Sequence, residues 1–195
     1  MFAASPSAPT LFYTLVALWV ASEFWLQFRR RAARVGAQRR DRGSLRLISV
    51  LLYAGVFLAV WSTHRAYWPF PPSLRAPLFW IGLALMAAGI AFRWWAIRVL
   101  AKFFTVDVAV HADHKLVQDG PYRWLRHPSY TGSLLTFLGF GLALGNGISL
   151  LAAVLPVIVS FAYRIHVEEQ ALTSAFPDEY PAYAARTKRL LPFVW

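Results

Sequence analysis

The chain reads as an all-α integral membrane protein with five transmembrane helices, the last two forming a tight helical hairpin. Three observations carry that reading. Of its 195 residues, 58% are hydrophobic and 15% charged, with a mean hydropathy of +0.46, whereas soluble domains carry about 25% charged residues. The apolar residues fall in runs of bilayer-spanning length. Arginine and lysine collect on alternate connections between those runs. Nine Trp and eight Tyr suit a chain with two bilayer interfaces to anchor.

About 20 apolar residues cross a bilayer as a helix. The first run extends from about Pro9 to Phe28 and lacks the basic leader and short apolar core of a secretory signal. The second runs from about Leu45 to Thr63. The third runs from about Pro77 to Ile97, with Pro77 expected in a first helical turn. A polar stretch from about Arg98 to His127 follows, too charged to span. The last apolar block, Ser129 to Tyr163, is too long for one crossing and holds Gly145-Asn146-Gly147 near its middle, a strong turn signal. Each arm of the resulting hairpin has roughly 17 residues, or about 26 Å, just enough to cross.

Orientation follows from the basic residues. The connection between the first two runs holds Arg29, Arg30, Arg31, Arg34, Arg39, Arg40, Arg42 and Arg46, and the next connection holds only Arg65 and Arg75. The hairpin tip holds none. Lys102, Lys115, Arg123, Arg126, Arg164, Arg186, Lys188 and Arg189 lie in the segment before the hairpin and in the tail. The expected topology has the N-terminus outside and both polar segments in the cytoplasm. Residues 1–97 then form a three-helix transmembrane region, and residues 98–195 hold the polar segments and the hairpin.

The sequence excludes several classes. It has no Cys, hence no disulfide, thiolate catalysis or Cys-ligated zinc, and no metal site is expected. A net charge of +11 would point to nucleic acid in a soluble protein. Here the cations flank apolar runs, so membrane lipid is the expected partner and nucleic acid is not. P-loop, HExxH and GxSxG motifs are absent.

The richest segment is Gly120-Pro121-Tyr122-Arg123-Trp124-Leu125-Arg126-His127-Pro128-Ser129-Tyr130-Thr131-Gly132. Polar side chains at membrane depth are costly, so such a cluster points to a site where a helix meets water. Pro128 fits a first helical turn, whose free N–H groups form an anion site. Arg126, His127 and Tyr130 would surround it; interfacial anchoring accounts for the same residues. The second constellation, Arg164 to Leu172, continues the last run. Arg164 and Glu168 share a helical face, either as a solvated ion pair or turned toward the first cluster. The hairpin brings both of its open ends to one membrane face, and so sets His127 and Tyr130 beside Arg164 and Glu168. Tyr180 and Tyr183 follow, at the interface or over the site.

The order GPYxxxRHPxYxG, a hairpin, EExxL and a Tyr-x-x-Tyr tail resembles the isoprenylcysteine carboxyl methyltransferase family. The upstream stretch His114 to Gly120 fits the same pattern, and the resemblance covers about residues 98–195. It departs at Phe176-Pro177, where the family often has Phe-Gly. The resemblance implies methyl transfer from S-adenosylmethionine to a carboxylate on a lipophilic small-molecule or lipidated substrate of prenyl-thioether type. Carried across, His114, Leu116, Val117, Gly120, Tyr122, His127 and Tyr130 would line the cofactor site, and Arg164 and Glu168 would meet the reacting group.

That chemistry is coherent with the residues. A carboxylate is ionised at neutral pH, its ordinary pKa being about 3.5, so its attack on a sulfonium methyl needs alignment and exclusion of water rather than a base or metal. Arg164 can clamp it through two N–H groups. Tyr122, Trp124 or Tyr130 can face the sulfonium. The competing readings are a phospholipid amine N-methyltransferase, with Glu168 or Glu169 as base, a sterol-type membrane reductase, and a non-enzymatic membrane anchor. The Arg- and Ala-rich composition suits a high-GC bacterium, which makes a bacterial inner membrane the expected location. Oligomeric state is left open.

Overall fold

The computed structural model describes residues 6–31, 38–39, 44–65, 67–101, 109–110 and 116–190. Its helices are α1 (Ala8–Arg31), α2 (Ser44–Arg65), α3 (Pro72–Leu100), α4 (Pro128–Ala143), α5 (Gly147–Ala175) and α6 (Glu179–Arg186), and a 3-10 turn forms at Gly120–Arg123. Four of these, α1, α2, α3 and α5, are long and apolar enough to cross a membrane. At 16 residues, α4 is shorter than the other four.

The α3 start differs from the sequence expectation. Pro72 occupies the first turn, and Pro77 lies inside the helix. The Pro71-Pro72 pair offers an earlier start whose missing N–H is harmless, so Pro77 gives up a bond one turn later instead. The fold is also not wholly helical. Gln38–Arg39 (β1) pairs antiparallel with Ala109–Val110 (β2), in the register Gln38 to Val110 and Arg39 to Ala109. This ladder joins the α1–α2 connection to the segment that precedes α4.

Small residues let α3 and α4 pack with their backbones nearly touching. A Cβ added to Gly89 would meet the Gly132 carbonyl at 2.6 Å, and one on Gly82 would meet the Gly139 carbonyl at 2.6 Å. The pairing of early with late residues makes the two helices antiparallel, a small-residue interface of the kind membrane helices use. On the other side α2 packs on α5. Ser149 Oγ donates to the Ala59 carbonyl at 2.6 Å and lies 2.7 Å from Ser62 Oγ. Between α4 and α5 the chain turns at Gly145, whose φ of 81° favours glycine, and Asn146 Oδ1 caps α5 by accepting from Ser149 N at 2.7 Å.

Helix α1 leans on this assembly through rings. Phe12 stacks on Phe140 with centroids 6.1 Å apart, and Trp19 meets Phe137 edge-on at 4.8 Å. The core gathers Phe79, Met86, Phe140, Val157, Phe161 and Ile165. The tail folds back along residues 124–127. Lys188 N donates to the Trp124 carbonyl, Arg126 N to the Lys188 carbonyl, and His127 N to the Arg189 carbonyl.

Candidate active site

Three elements meet at one end of the bundle: the first turn of α4, the last turns of α5, and the returning tail with α6. His127 is the residue before α4, and Pro128 takes the first helical position. The carbonyl of His127 accepts from Tyr130 N at 3.0 Å and Thr131 N at 3.2 Å, so those N–H groups are already engaged. Thr131 Oγ1 donates to the Leu190 carbonyl at 2.7 Å, tying the tail to this turn.

Tyr130 is the meeting point of the two polar sets. Its hydroxyl donates to Glu168 Oε2 at 2.9 Å and accepts from Arg164 Nε at 3.3 Å. The His127 ring stacks on the Tyr130 ring at 5.6 Å, and its Nδ1 lies 3.5 Å from Glu168 Oε2. The structure therefore brings His127, Tyr130, Arg164 and Glu168 together. Arg164 is only 2% exposed, which a solvated helix end would not be.

Glu169, beside Glu168, organises a second layer. It accepts from Arg126 Nε at 2.9 Å and Arg189 Nη2 at 2.8 Å, and lies 3.4 Å from His127 Nε2. Arg126 also donates to the Ala184 and Thr187 carbonyls, so it braces the tail rather than facing an open anion site. Burial works against the His127 imidazolium, but the flanking Glu168 and Glu169 carboxylates outweigh it and raise the His127 pKa above its ordinary value. The Glu169 hydrogen bonds likewise raise that of Arg189.

Three buried phenols complete the site. Burial pushes the pKa values of Tyr122, Tyr180 and Tyr183 up, so all three stay protonated donors. Tyr183 donates to the Tyr122 carbonyl at 2.8 Å, fixing α6 to the 3-10 turn. Tyr180 is 4% exposed, and its hydroxyl has no hydrogen-bond partner among the described residues. The charges of Glu169, Arg126 and Glu168 all act on it. A buried hydroxyl in that state leaves a donor available to a water or a bound molecule.

Leu116 and Val117 are half-buried in the segment that enters the 3-10 turn, and Gly120 begins that turn with a φ of 55°. Gln118, between them, accepts from Arg186 Nη2. His114 lies outside the described residues, as do Arg34, Arg40, Arg42, Lys102 and Lys115. Trp124 is 55% exposed, under the Arg123 guanidinium, and so does not face the site as Tyr122 and Tyr130 do.

A cavity of about 490 Å³ runs from this cluster into the bundle between α1, α2, α4 and α5. Tyr130, Arg164, Glu23 and Arg93 line its end at the cluster, and Phe12, Phe140 and Leu144 line the apolar stretch beyond, which Thr63 and His64 of α2 also border. Tyr130 to Leu144 along α4 is about 21 Å at 1.5 Å per residue. The sequence reading did not single out Glu23 or Arg93. The signal was there: each is a charge inside an apolar run, which the bilayer tolerates only with a partner.

A family model described as phospholipid methyltransferase matches residues 77–179. A rice protein, probable protein-S-isoprenylcysteine O-methyltransferase from Oryza sativa subsp. indica, is 34% identical over 127 residues, covering 63% of this chain and 66% of that one. Protein-S-isoprenylcysteine O-methyltransferase B of Arabidopsis thaliana is 37% identical over 121 residues, covering 60% of this chain and 61% of its own length. Thus the chain spans less than two thirds of these relatives. The solved structure of a eukaryotic intramembrane Ras methyltransferase, isoprenylcysteine carboxyl methyltransferase, superposes with a TM-score of 0.61 at 30% identity, covering 75% of this chain and 52% of that one.

Proposed function

Because the chain belongs to the phospholipid methyltransferase family, we propose that it is an S-adenosylmethionine-dependent carboxyl O-methyltransferase acting at the membrane on a lipophilic acid of prenyl-thioether type. The observation that carries this is the position of Arg164. It is buried where an apolar cavity long enough for a lipid chain meets a polar cluster. A guanidinium in that place suits an acceptor with a carboxylate head and an apolar tail. The names of the rice and Arabidopsis relatives and of the solved neighbour support the same acceptor class.

The residues fit the cofactor. The Tyr180 hydroxyl, which has no partner among the described residues, supplies a buried donor. Leu116, Val117, Gly120, Tyr122, His127 and Tyr130, with His114 ahead of them in the chain, are the proposed holding residues. When bound, the cofactor would supply an electrophilic methyl on a sulfonium to the acceptor oxygen, with sulfur keeping the electron pair of the bond that is given up. Arg164 orients the acceptor carboxylate, and Tyr130 couples Arg164 to Glu168. Packing of α6 and the tail over the 3-10 turn excludes water.

The family description favours one second reading, methylation of a phospholipid amine. It needs a proton acceptor. Glu169 accepts from Arg126 and Arg189, and Glu168 from Tyr130, so both carboxylates are already committed. This favours the acceptor that arrives without a proton to lose.

The topology belongs to the same proposal. At about 24 Å, α4 crosses as a fifth span between α3 and α5, and the site faces the cytoplasm of a bacterial inner membrane. The test is methyl transfer to N-acetyl-S-farnesylcysteine in detergent, with S-adenosylhomocysteine binding measured alongside. Arg164→Lys keeps the charge and loses the planar fork. It should lower turnover about tenfold or more, the scale of a charge-assisted hydrogen bond, while S-adenosylhomocysteine affinity stays within about twofold. Near-normal turnover, or a matching loss of cofactor affinity, would remove Arg164 from the acceptor site.

A further inference from the structure

Glu23 lies inside the apolar stretch of α1 and Arg93 inside α3. They form a two-pronged ion pair: Arg93 Nε donates to Glu23 Oε1 at 2.7 Å, and Nη2 to Oε2 at 3.0 Å. The third nitrogen of the fork, Nη1, donates to the Ser129 carbonyl at 3.2 Å. Ser129 stands between Pro128 and Tyr130 in the first turn of α4, and one guanidinium thus joins α1, α3 and that turn. The fit is close. A Cβ on Gly132 would meet Arg93 N at 2.6 Å and Arg93 Cβ at 2.8 Å.

Both side chains line the cavity at the end where Tyr130 and Arg164 lie. The charge of Arg93 also reaches the Tyr122 hydroxyl. The polar mouth of the cavity is therefore bounded by two guanidinium groups, Arg164 from α5 and Arg93 from α3, and Glu23 holds the second in place. Ionisable residues inside membrane helices mark function more often than stability.

We propose that Glu23 and Arg93 are a positioning pair for the acceptor: Glu23 orients the Arg93 fork, which anchors the first turn of α4 and so sets Tyr130 and the cavity mouth against the incoming carboxylate. This rests on the carboxyl-methyl-transfer reading above. The pair acts on the acceptor side, whereas the cofactor side is closed by α6 and the tail. It thereby gives α1, which contributes no residue to the polar cluster at Tyr130, a part in acceptor recognition.

The experiment measures KM and kcat for N-acetyl-S-farnesylcysteine, S-adenosylhomocysteine affinity and thermal unfolding for purified full-length variants. Glu23→Gln keeps the shape and loses the charge. It should raise acceptor KM about tenfold, and Glu23→Asp should recover part of that, while S-adenosylhomocysteine affinity, to which Tyr130 also contributes, falls by a clearly smaller factor than the KM rises. The exchanged variant E23R/R93E separates positioning from mere structure. It restores an ion pair between α1 and α3, but a carboxylate at position 93 cannot donate to the Ser129 carbonyl. It should therefore unfold at a higher temperature than R93E alone and still show the raised KM. Recovery of both stability and KM in the exchanged variant, or a Glu23→Gln KM within about twofold of the parent, overturns the proposal. Failure of the unaltered protein to methylate the acceptor overturns the carboxyl-methyl-transfer reading and the pair's role with it.

Discussion

Among the described residues, Tyr180 carries, in its hydroxyl, the one buried side-chain polar atom without a hydrogen-bond partner. Its ring packs near Tyr183 at 6.1 Å. Tyr180→Phe keeps the ring and removes only that hydroxyl. No hydrogen bond to the described residues is lost, so the unfolding temperature of the ligand-free protein should stay level or rise. S-adenosylhomocysteine affinity should fall about three- to tenfold, the scale of one neutral hydrogen bond. Calorimetric titration checks it, and unchanged affinity takes Tyr180 out of the cofactor site. At this scale the sequence was legible where spacing made the argument. His127, Tyr130, Arg164 and Glu168 do come together. It was not legible where long-range pairing decided. Nothing local tells that Glu169 would collect Arg126 and Arg189, or that Glu23 would find Arg93 across a separation of 70 residues.

At the scale of elements, α4 is positioned by what it lacks. Gly132, Gly139 and Ala143 let it approach α3 at backbone contact, and this places the turn carrying Tyr130. Gly89→Ala would put a Cβ 2.5 Å from Thr136 Oγ1 and 2.6 Å from the Gly132 carbonyl. Neither neighbour is a flexible side-chain end. The added methyl should cost about 1–3 kcal/mol through overpacking and lower the unfolding temperature in detergent. Ile81→Ala, at a position 49% exposed on the same helix, should not; equal behaviour of the two would remove the close-approach argument. Apolar run lengths read from sequence located α1, α2 and α4 to within a few residues of their ends, whereas α5 runs on past Tyr163 to Ala175, because its polar last turns carry no apolar signal. They misplaced the start of α3 because Pro72 and Pro77 both fit a first helical turn, and the helix begins at Pro72, just after the extended Pro71. The β1–β2 pairing was invisible, since two residues carry no alternating pattern.

For the whole molecule, the decisive question is which way the bundle faces. The Pro69 to Asn146 bridge and the bond from Gly147 N to the Trp68 carbonyl put the α2–α3 connection at the same end as the α4–α5 turn. The Tyr130–Arg164–Glu168 cluster and the 3-10 turn lie at the other end. By sequence, the connections at the cluster end hold most of the arginine and lysine, and the connections at the opposite end hold Arg65 and Arg75. Positive charge is retained on the cytoplasmic side, so the cluster should face the cytoplasm, where a soluble methyl donor reaches it. The protein has no cysteine of its own, which makes a single introduced thiol a clean reporter. Tyr67 is 53% exposed beside the α2–α3 connection, and Trp124 is 55% exposed beside the 3-10 turn. In intact bacterial cells, a membrane-impermeant maleimide should label Tyr67→Cys. It should label Trp124→Cys only after permeabilisation. The reverse pattern would invert the bundle and put the proposed cofactor site on the face a cytoplasmic methyl donor cannot reach. Labelling of both in intact cells would place α3, which separates the two positions, on one side of the membrane and end the spanning assignment for that helix.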